Sequence, residues 1–269
     1  MKRVYTPFTP SHRGGSGPPL VCLLGFMDTW HTWELVLPAL ERRHDVLALT
    51  LAGHAGGPKL EGEPSAAALA EAVEREMDRA GVAVADLVGS SLGGYLALEL
   101  AARGRARTVV AFAPAGGWAA GDRSWRTLLE LQGGLHRQAR TLAPGAHALL
   151  ATAEGRRRAT ELLTVNYEHL PPELLAQQLL AVAACPAAPE LIEFALRNEW
   201  RLDAEAVSCP VRIAWGTEDR LLPWPRAAAR YREQWLPHAD WVVLDGVGHY
   251  PQLDVPLEAA QLILGFTGA

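Results

Sequence analysis

The stretch "DLVGSSLGGYLALELAARG", residues 86–104, decides how this chain is read. An apolar run of strand character, "ADLVGS" (85–90), leads into two adjacent serines. A helical pattern, "LGGYLALELAARG" (92–104), follows and closes on Gly104. Between them, Gly89-Ser90-Ser91-Leu92-Gly93 forms the single G-x-S-x-G of the sequence. A nucleophile held on a sharp turn between strand and helix has strained backbone angles. The residues two before and two after it must then be small. Around Ser91 those positions are Gly89 and Gly93; around Ser90 they are Val88 and Leu92, which would collide. The spacing selects Ser91, with a helix N-terminus aimed at any oxyanion formed there. A purely structural strand-to-helix turn is the alternative.

Outward from this turn, short apolar runs alternate with helical patterns. The runs are "LVCLLGF" (20–26), "HDVLALTL" (44–51), "RTVVAFAPA" (107–115), "CPVRIAWG" (209–216) and "ADWVVLDG" (239–246). Helices are predicted over 64–81, 223–236 and 256–268. This alternation predicts an α/β fold, a mostly parallel central sheet with helices on both faces. The rhythm breaks over 118–206, which holds helical segments and no convincing strand. The clearest is "PPELLAQQLLAVAAC" (171–185), opened by two prolines. We expect 118–206 to be a helical cap inserted into a core domain formed by 1–117 and 207–269. The three arginines of "GRRRAT" (155–160) read as a solvated helix face, with anion binding as the alternative.

At 269 residues and 49% hydrophobic, the chain can bury one substantial core. The net charge of −5 and the lack of a basic stripe argue against nucleic acid and anionic membrane surfaces as partners. Cys22, Cys185 and Cys209 are far apart and read as buried thiols. No metal-ligand spacing and no G-x-G-x-x-G after a first strand is present, so neither a metal nor a cofactor is expected. No apolar run is long enough to span a membrane, and "MKRVYTPFTPSHRGGSGPPL" (1–20) lacks a leader's apolar core. A cytoplasmic protein with a small-molecule substrate is expected; its oligomeric state is left open.

A serine hydroxyl needs a base. His249 stands in the glycine-rich loop of "LDGVGHYPQLDVP" (244–256), just past the last predicted strand. An acid must orient the imidazole. "AWGTEDRLLP" (214–223) offers Glu218 and Asp219 directly after a strand. Asp219 is preferred, Asp245 is the fallback, and capping of the next helix is the structural alternative. Serine, aspartate, histidine in that order, each after a strand, is the triad order of one fold, with all three at the edge where open α/β sheets bind ligands.

On these residues the chain resembles the α/β-hydrolase family. The specific parts are "VGSSLGGYLALELA" (88–101), "WGTEDRLLP" (215–223), "GVGHYPQLDVP" (246–256) and "LLGFMDTWHTWELVLPAL" (23–40). The resemblance implies an oxyanion hole built from backbone N–H groups of Phe26, with Met27 the alternative, and of Leu92. The chain departs from the family at Leu24, where a histidine is usual, at Ser90, and at "LAGHAGG" (51–57), which lacks an opening aspartate. Family members with an aspartate nucleophile, the dehalogenases and epoxide hydrolases, are disfavoured by Ser91.

Aromatic and apolar residues near this edge, Phe26, Met27, Trp30, Trp33 and Trp118, suggest an apolar pocket under the cap. Core packing is the alternative for each tryptophan. Asp28 and His31 read as loop structure, with a polar substrate contact as the alternative. The expected activity is a serine carboxylesterase acting on small to medium apolar esters through an acyl-enzyme. A carbon–carbon bond or haloperoxidase-like hydrolase, and a receptor of the same fold with weak turnover, are the alternatives.

Overall fold

The apolar runs become strands of one sheet in the computed structural model, which describes residues 8–268. In chain order they are β1 (Ser11–Gly15), β2 (Pro19–Leu23), β3 (Asp45–Leu49), β4 (Ala85–Ser90), β5 (Ala106–Phe112), β6 (Val211–Gly216) and β7 (Asp240–Leu244). Their spatial order is β1-β3-β2-β4-β5-β6-β7. β1 runs antiparallel to β3, and the other neighbours are parallel. The sequence does not predict β1, because "SHRGG" has no apolar alternation. Its pairing partner makes it a strand, and it covers the edge of β3. Residues 1–7, part of the stretch read as lacking a leader, lie outside the described residues.

The strands are shorter than the apolar runs that predict them. β2 stops at Leu23 and β5 at Phe112, so Leu24–Phe26 and Ala113–Ala115 form loops at the C-terminal edge. Side chains alternate across the sheet. Val21, Leu23, Leu87, Val109 and Ala111 join one apolar cluster, and Leu20, Cys22, Val88, Val110 and Phe112 another. Both faces are buried, as a parallel sheet requires.

The helices are α1 (Leu37–Leu40), α2 (Ala66–Arg79), α3 (Leu92–Ala102), α4 (Ser124–Leu142), α5 (Ala146–Leu150), α6 (Ala153–Thr160), α7 (Pro172–Ala183), α8 (Ala188–Arg197), α9 (Pro251–Asp254) and α10 (Pro256–Leu264). α2 starts where Ser65 Oγ accepts the Ala68 N–H at 3.1 Å, and Gly81 follows its end at φ 74°. α2 and α3 cover one face of the sheet; α1 and α10 cover the other. The helix expected over 223–236 is confined to 226–235, where a 3₁₀ turn (Arg226–Ala228) passes through two α-helical residues into a π-helical turn (Tyr231–Trp235). Pro223 and Pro225 stand ahead of its first turn, where a missing N–H costs no intrahelical bond.

Between β5 and β6 the described elements from 124 to 197 are all helical. α4 packs on α7 and α8, and α5 on α7. Leu150, Leu170, Leu174 and Leu175 of this block share an apolar cluster with Tyr250 and Leu253, which seats it on the C-terminal end of the sheet. The arginines of α6 are engaged locally. Arg157 and Arg158 pair with Glu154 at 2.9 and 2.6 Å, and Arg156 donates to the carbonyls of Leu150 and Ala151. No single helix among the described residues is long and apolar enough to cross a membrane.

Candidate functional site

Ser91 sits between β4 and α3 at φ 57°, ψ −118°, a backbone conformation that side-chain-bearing residues rarely adopt. Its N–H donates to the Phe112 carbonyl at 2.8 Å, and its carbonyl accepts the N–H groups of Tyr95 and Ala115 at 3.1 and 3.0 Å. The strained turn is therefore held from both sides. The glycines around it are required by space. A Cβ on Gly89 would lie 2.6 Å from the Gly94 nitrogen and closer still to the Gly93 carbonyl. One on Gly93 would lie 2.5 Å from the Leu24 carbonyl oxygen. Ser90 is fully buried in β4, on the side of Val88 by strand alternation, and its Oγ has no hydrogen-bond partner among the described residues.

Asp219 and His249 come together. His249 Nδ1 donates to Asp219 Oδ2 at 2.7 Å, with both side chains shut off from solvent. Asp219 Oδ1 accepts the N–H groups of Leu221 and Leu222 at 2.9 and 2.7 Å, so the carboxylate is fixed on both oxygens. His249 Nε2 is buried with no hydrogen-bond partner among the described residues. The fallback acid, Asp245, is exposed and accepts from Thr217 Oγ1 at 3.3 Å. The loops carrying Asp219 and His249 are zipped to each other. Glu218 N–H donates to the Val247 carbonyl and Gly246 N–H to Thr217 Oγ1. Gly216 permits this crossing, since a Cβ there would lie 2.5 Å from the Gly248 carbonyl oxygen.

Asp254 carries no mark in the sequence, yet it holds the histidine loop. Its Oδ2 accepts from Gly248 N–H at 2.6 Å and Val165 N–H at 3.0 Å. Its Oδ1 accepts from Asn166 N–H at 2.6 Å and Asn166 Nδ2 at 3.0 Å. Two further bonds join the same surfaces, Tyr250 N–H to the Leu163 carbonyl and His169 Nε2 to the Leu253 carbonyl. The segment after α6 and the loop bearing His249 are thus tied into one unit. No local pattern marks Asp254, because Val165 and Asn166 are about 90 residues away in sequence.

The loop after β2 lies over the same edge. Tyr250 forces a glycine at position 25, where a Cβ would lie 3.0 Å from Tyr250 Cζ and nearer to its hydroxyl. Phe26 meets His54 edge-on, with ring centroids 5.8 Å apart. His54 is buried, and desolvation pulls its pKa down to about 4. Asp28 accepts Thr29 N–H at 2.7 Å and Gln178 Nε2 of α7 at 3.0 Å. Burial nevertheless pushes the Asp28 carboxyl up to about 6, because these donors do not repay the lost water. His31 is stacked on Trp30 at 3.8 Å, and desolvation lowers its pKa to about 4.

A cavity of about 470 Å³ opens above Ser91. Phe26, Leu92 and Trp118 line it, together with Leu221 and Leu222, the residues whose N–H groups hold Asp219. Met27 and Trp30 are not part of its wall. Met27 packs with Cys185 and Ala188, and Trp30 donates its indole N–H to Thr9 Oγ1 at 2.8 Å. Trp33 is a core residue against Phe112. Most of the wall is not legible in the sequence: Trp125, Leu128 and Leu129 of α4, and Leu191 and Ile192 of α8. The i, i+3, i+4 spacing on α4 marks a buried face but does not say what it faces.

A model of the alpha/beta hydrolase fold matches residues 18–256. The chain is 33% identical over 207 residues to a Mycobacterium tuberculosis protein named epoxide hydrolase EphH, covering 75% of this chain and 94% of that one. It is 30% identical over 266 residues to a pimeloyl-[acyl-carrier protein] methyl ester esterase of Aromatoleum aromaticum, covering 91% and 96%. Among solved structures, a hydrolase from Pseudomonas aeruginosa superposes with a TM-score of 0.72 at 22% identity, covering 96% of this chain and 94% of that one. The sheet order, the glycine-framed serine turn and this match over most of the sequence have one reading: the chain belongs to the alpha/beta hydrolase fold family.

Proposed function

We propose that the chain is a serine carboxylesterase acting on small to medium apolar esters. The observation that carries this is the Asp219–His249 pair, buried and bonded at 2.7 Å, at the same sheet edge as a serine on a strained turn. In this reading Ser91 Oγ attacks the ester carbonyl while His249 Nε2 takes its proton. Asp219 keeps the other proton on Nδ1 and stabilises the imidazolium. The Leu92 N–H at the start of α3 and the Phe26 N–H receive the oxyanion. The Ser91 N–H itself is spent on Phe112 and contributes to the turn only. His249 then protonates the leaving alcohol, and water cleaves the acyl-enzyme by the same route in reverse. The helical block over 118–206 acts as a lid that keeps the cavity apolar.

The relative named an epoxide hydrolase sets a competing reaction. A serine that opened an epoxide would be left as an alkyl ether, which water does not cleave under these conditions. A carboxylate nucleophile forms an ester that water can cleave. Ser91 therefore favours acyl transfer, where the intermediate is itself an ester.

The test is turnover of a p-nitrophenyl ester by the wild type, Ser91→Ala and Ser90→Ala. Ser91→Ala is expected to fall by at least about 10³-fold in kcat, while Ser90→Ala keeps most of its activity. Wild-type turnover that survives Ser91→Ala overturns the assignment.

A further inference from the structure

The cavity wall is apolar except at a few positions, and almost all of those are already engaged. Tyr95 donates its hydroxyl to the Arg201 carbonyl. Ser65 Oγ caps α2, and Glu99 pairs with Arg103 at 3.2 Å. Asn198, Glu199 and Arg201 are exposed, at the mouth. Apart from the indole N–H groups of Trp118, Trp125 and Trp200, two polar side chains on the inner wall remain among the described residues. One is Ser91. The other is Gln132 of α4, only 9% exposed, with no side-chain hydrogen bond to any described residue.

Gln132 stands on the cavity face of α4 by helical spacing, at i+3, i+4 and i+7 from Leu129, Leu128 and Trp125. Leu128 and Leu129 on that face are apolar, as are the α8 residues Leu191, Ile192, Phe194 and Ala195 that line the same space, and Trp125 offers only an indole N–H donor. A primary amide offers one acceptor and two donors. When the cavity is empty of ligand, solvent can satisfy them. A plain hydrocarbon seated against the amide would strip that water away and return nothing.

From this we propose that Gln132 is a second recognition point of the active-site cavity, specific for an uncharged hydrogen-bonding group on the substrate. The ligand class is an ester whose apolar body carries a hydroxyl, keto or amide group at a distance from the scissile carbonyl. An anionic group is disfavoured, because no cationic side chain lies on the inner wall and the one arginine is at the mouth. The substrate class rests on the esterase reading above; the recognition point itself does not.

The experiment compares pairs of p-nitrophenyl esters of equal chain length. One member is plain, and the other carries an oxo or hydroxyl group walked along the chain. Each pair is measured on wild type, Gln132→Leu and Gln132→Met. Wild type should prefer the oxygenated ester at one chain position by roughly tenfold in kcat/KM. Both variants should lose that preference, through slower turnover of the oxygenated ester and faster turnover of the plain one. A preference unchanged in the variants, or absent from wild type at every position, overturns the proposal. Binding of the same ester pairs to Ser91→Ala and to Ser91→Ala/Gln132→Leu protein, read as dissociation constants, tests the recognition point without turnover. A Gln132-dependent preference there, without hydrolysis of any ester, sinks the esterase reading and leaves the recognition point standing. Equal affinities for the plain and oxygenated esters sink the recognition point.

Discussion

Replacing Asp219 by asparagine should reverse the tautomer of His249, and the surrounding backbone sets how firmly. Asp219 Oδ1 receives two backbone N–H groups, from Leu221 and Leu222, and Oδ2 receives His249 Nδ1. An asparagine has only one oxygen. If its NH₂ turned toward Leu221 and Leu222, it would set donor against donor twice. The oxygen therefore stays with the backbone, and the NH₂ faces Nδ1. Nδ1 must then be the lone-pair nitrogen, with the proton on Nε2, where it blocks abstraction from Ser91. Restoring the active tautomer means flipping the amide and leaving two largely buried N–H groups unpaired, at about 1–3 kcal/mol each. The total, about 2–6 kcal/mol, corresponds to a loss in kcat from roughly 30-fold to roughly 10⁴-fold. Loss of about 10⁴ is the known scale for such a reversal in serine proteases. The assay is steady-state hydrolysis of a p-nitrophenyl ester, with thermal unfolding alongside to show the variant is folded. KM should change little. Asp245→Asn is the control and should keep wild-type activity, since that carboxylate is exposed and bonded to Thr217. A folded Asp219→Asn protein within tenfold of wild-type kcat would refute the orienting role.

Three further outcomes follow from the geometry. Gly93→Ala places a Cβ 2.5 Å from the Leu24 carbonyl oxygen, against an ordinary contact of 3.4 Å or more, and so pushes the loop after β2 off the turn by about 1 Å; kcat should fall about 100-fold. Gly94→Ala meets its nearest atom at 3.1 Å and should cost less than tenfold, and equal effects from the two would refute the argument. Asp28→Asn removes a carboxyl whose pKa burial holds at about 6, above its ordinary 3.8. The folded wild type binds that proton more tightly than the unfolded chain does, so its stability declines as pH rises from about 4 through 6. The variant should therefore be more stable by up to about 3 kcal/mol above pH 7, with no gain below pH 4. A Tm difference that stays constant from pH 4 to 8 would count against it. Asp254→Asn turns an NH₂ toward N–H donors in the clamp and should cost at least about 2 kcal/mol in stability, with kcat lowered more than KM is raised. Denaturant unfolding and ester kinetics check both, and a variant within about 0.5 kcal/mol of wild type would show the clamp to be dispensable.

The glycine spacing around Ser91 is legible because the constraint is local. Gly89 must be small because its Cβ would strike Gly93 and Gly94 across the turn, a condition the sequence carries, while the chain at Leu23 and Leu24 adds a further bar to a side chain at Gly93. The alternation of apolar runs and helical patterns yields the sheet and its two covered faces for a similar reason: burial on both sides demands apolar residues at most positions of the inner strands. The order of Ser91, Asp219 and His249 is visible because each follows a strand. What stays hidden depends on chain segments far apart. β1 is a strand through its partner, and the helix at 226–235 changes from 3₁₀ to π winding along its length, which the sequence pattern does not show. Asp219 and Asp245 stand near equally plausible strand ends, and only the 2.7 Å bond to His249 separates them.

Legible in the sequence are the fold class, the serine of the turn and the candidate positions for an acid and a base. Tertiary structure decided which acid meets the histidine and that Asp254 ties its loop to the helical block. It also decided that the cavity wall comes from α4 and α8 rather than from Met27 and Trp30. The physical reason is range. Backbone strain and side-chain periodicity are written within a few residues, whereas a hydrogen bond or a cavity joins side chains whose separation in sequence carries no trace of their distance in space.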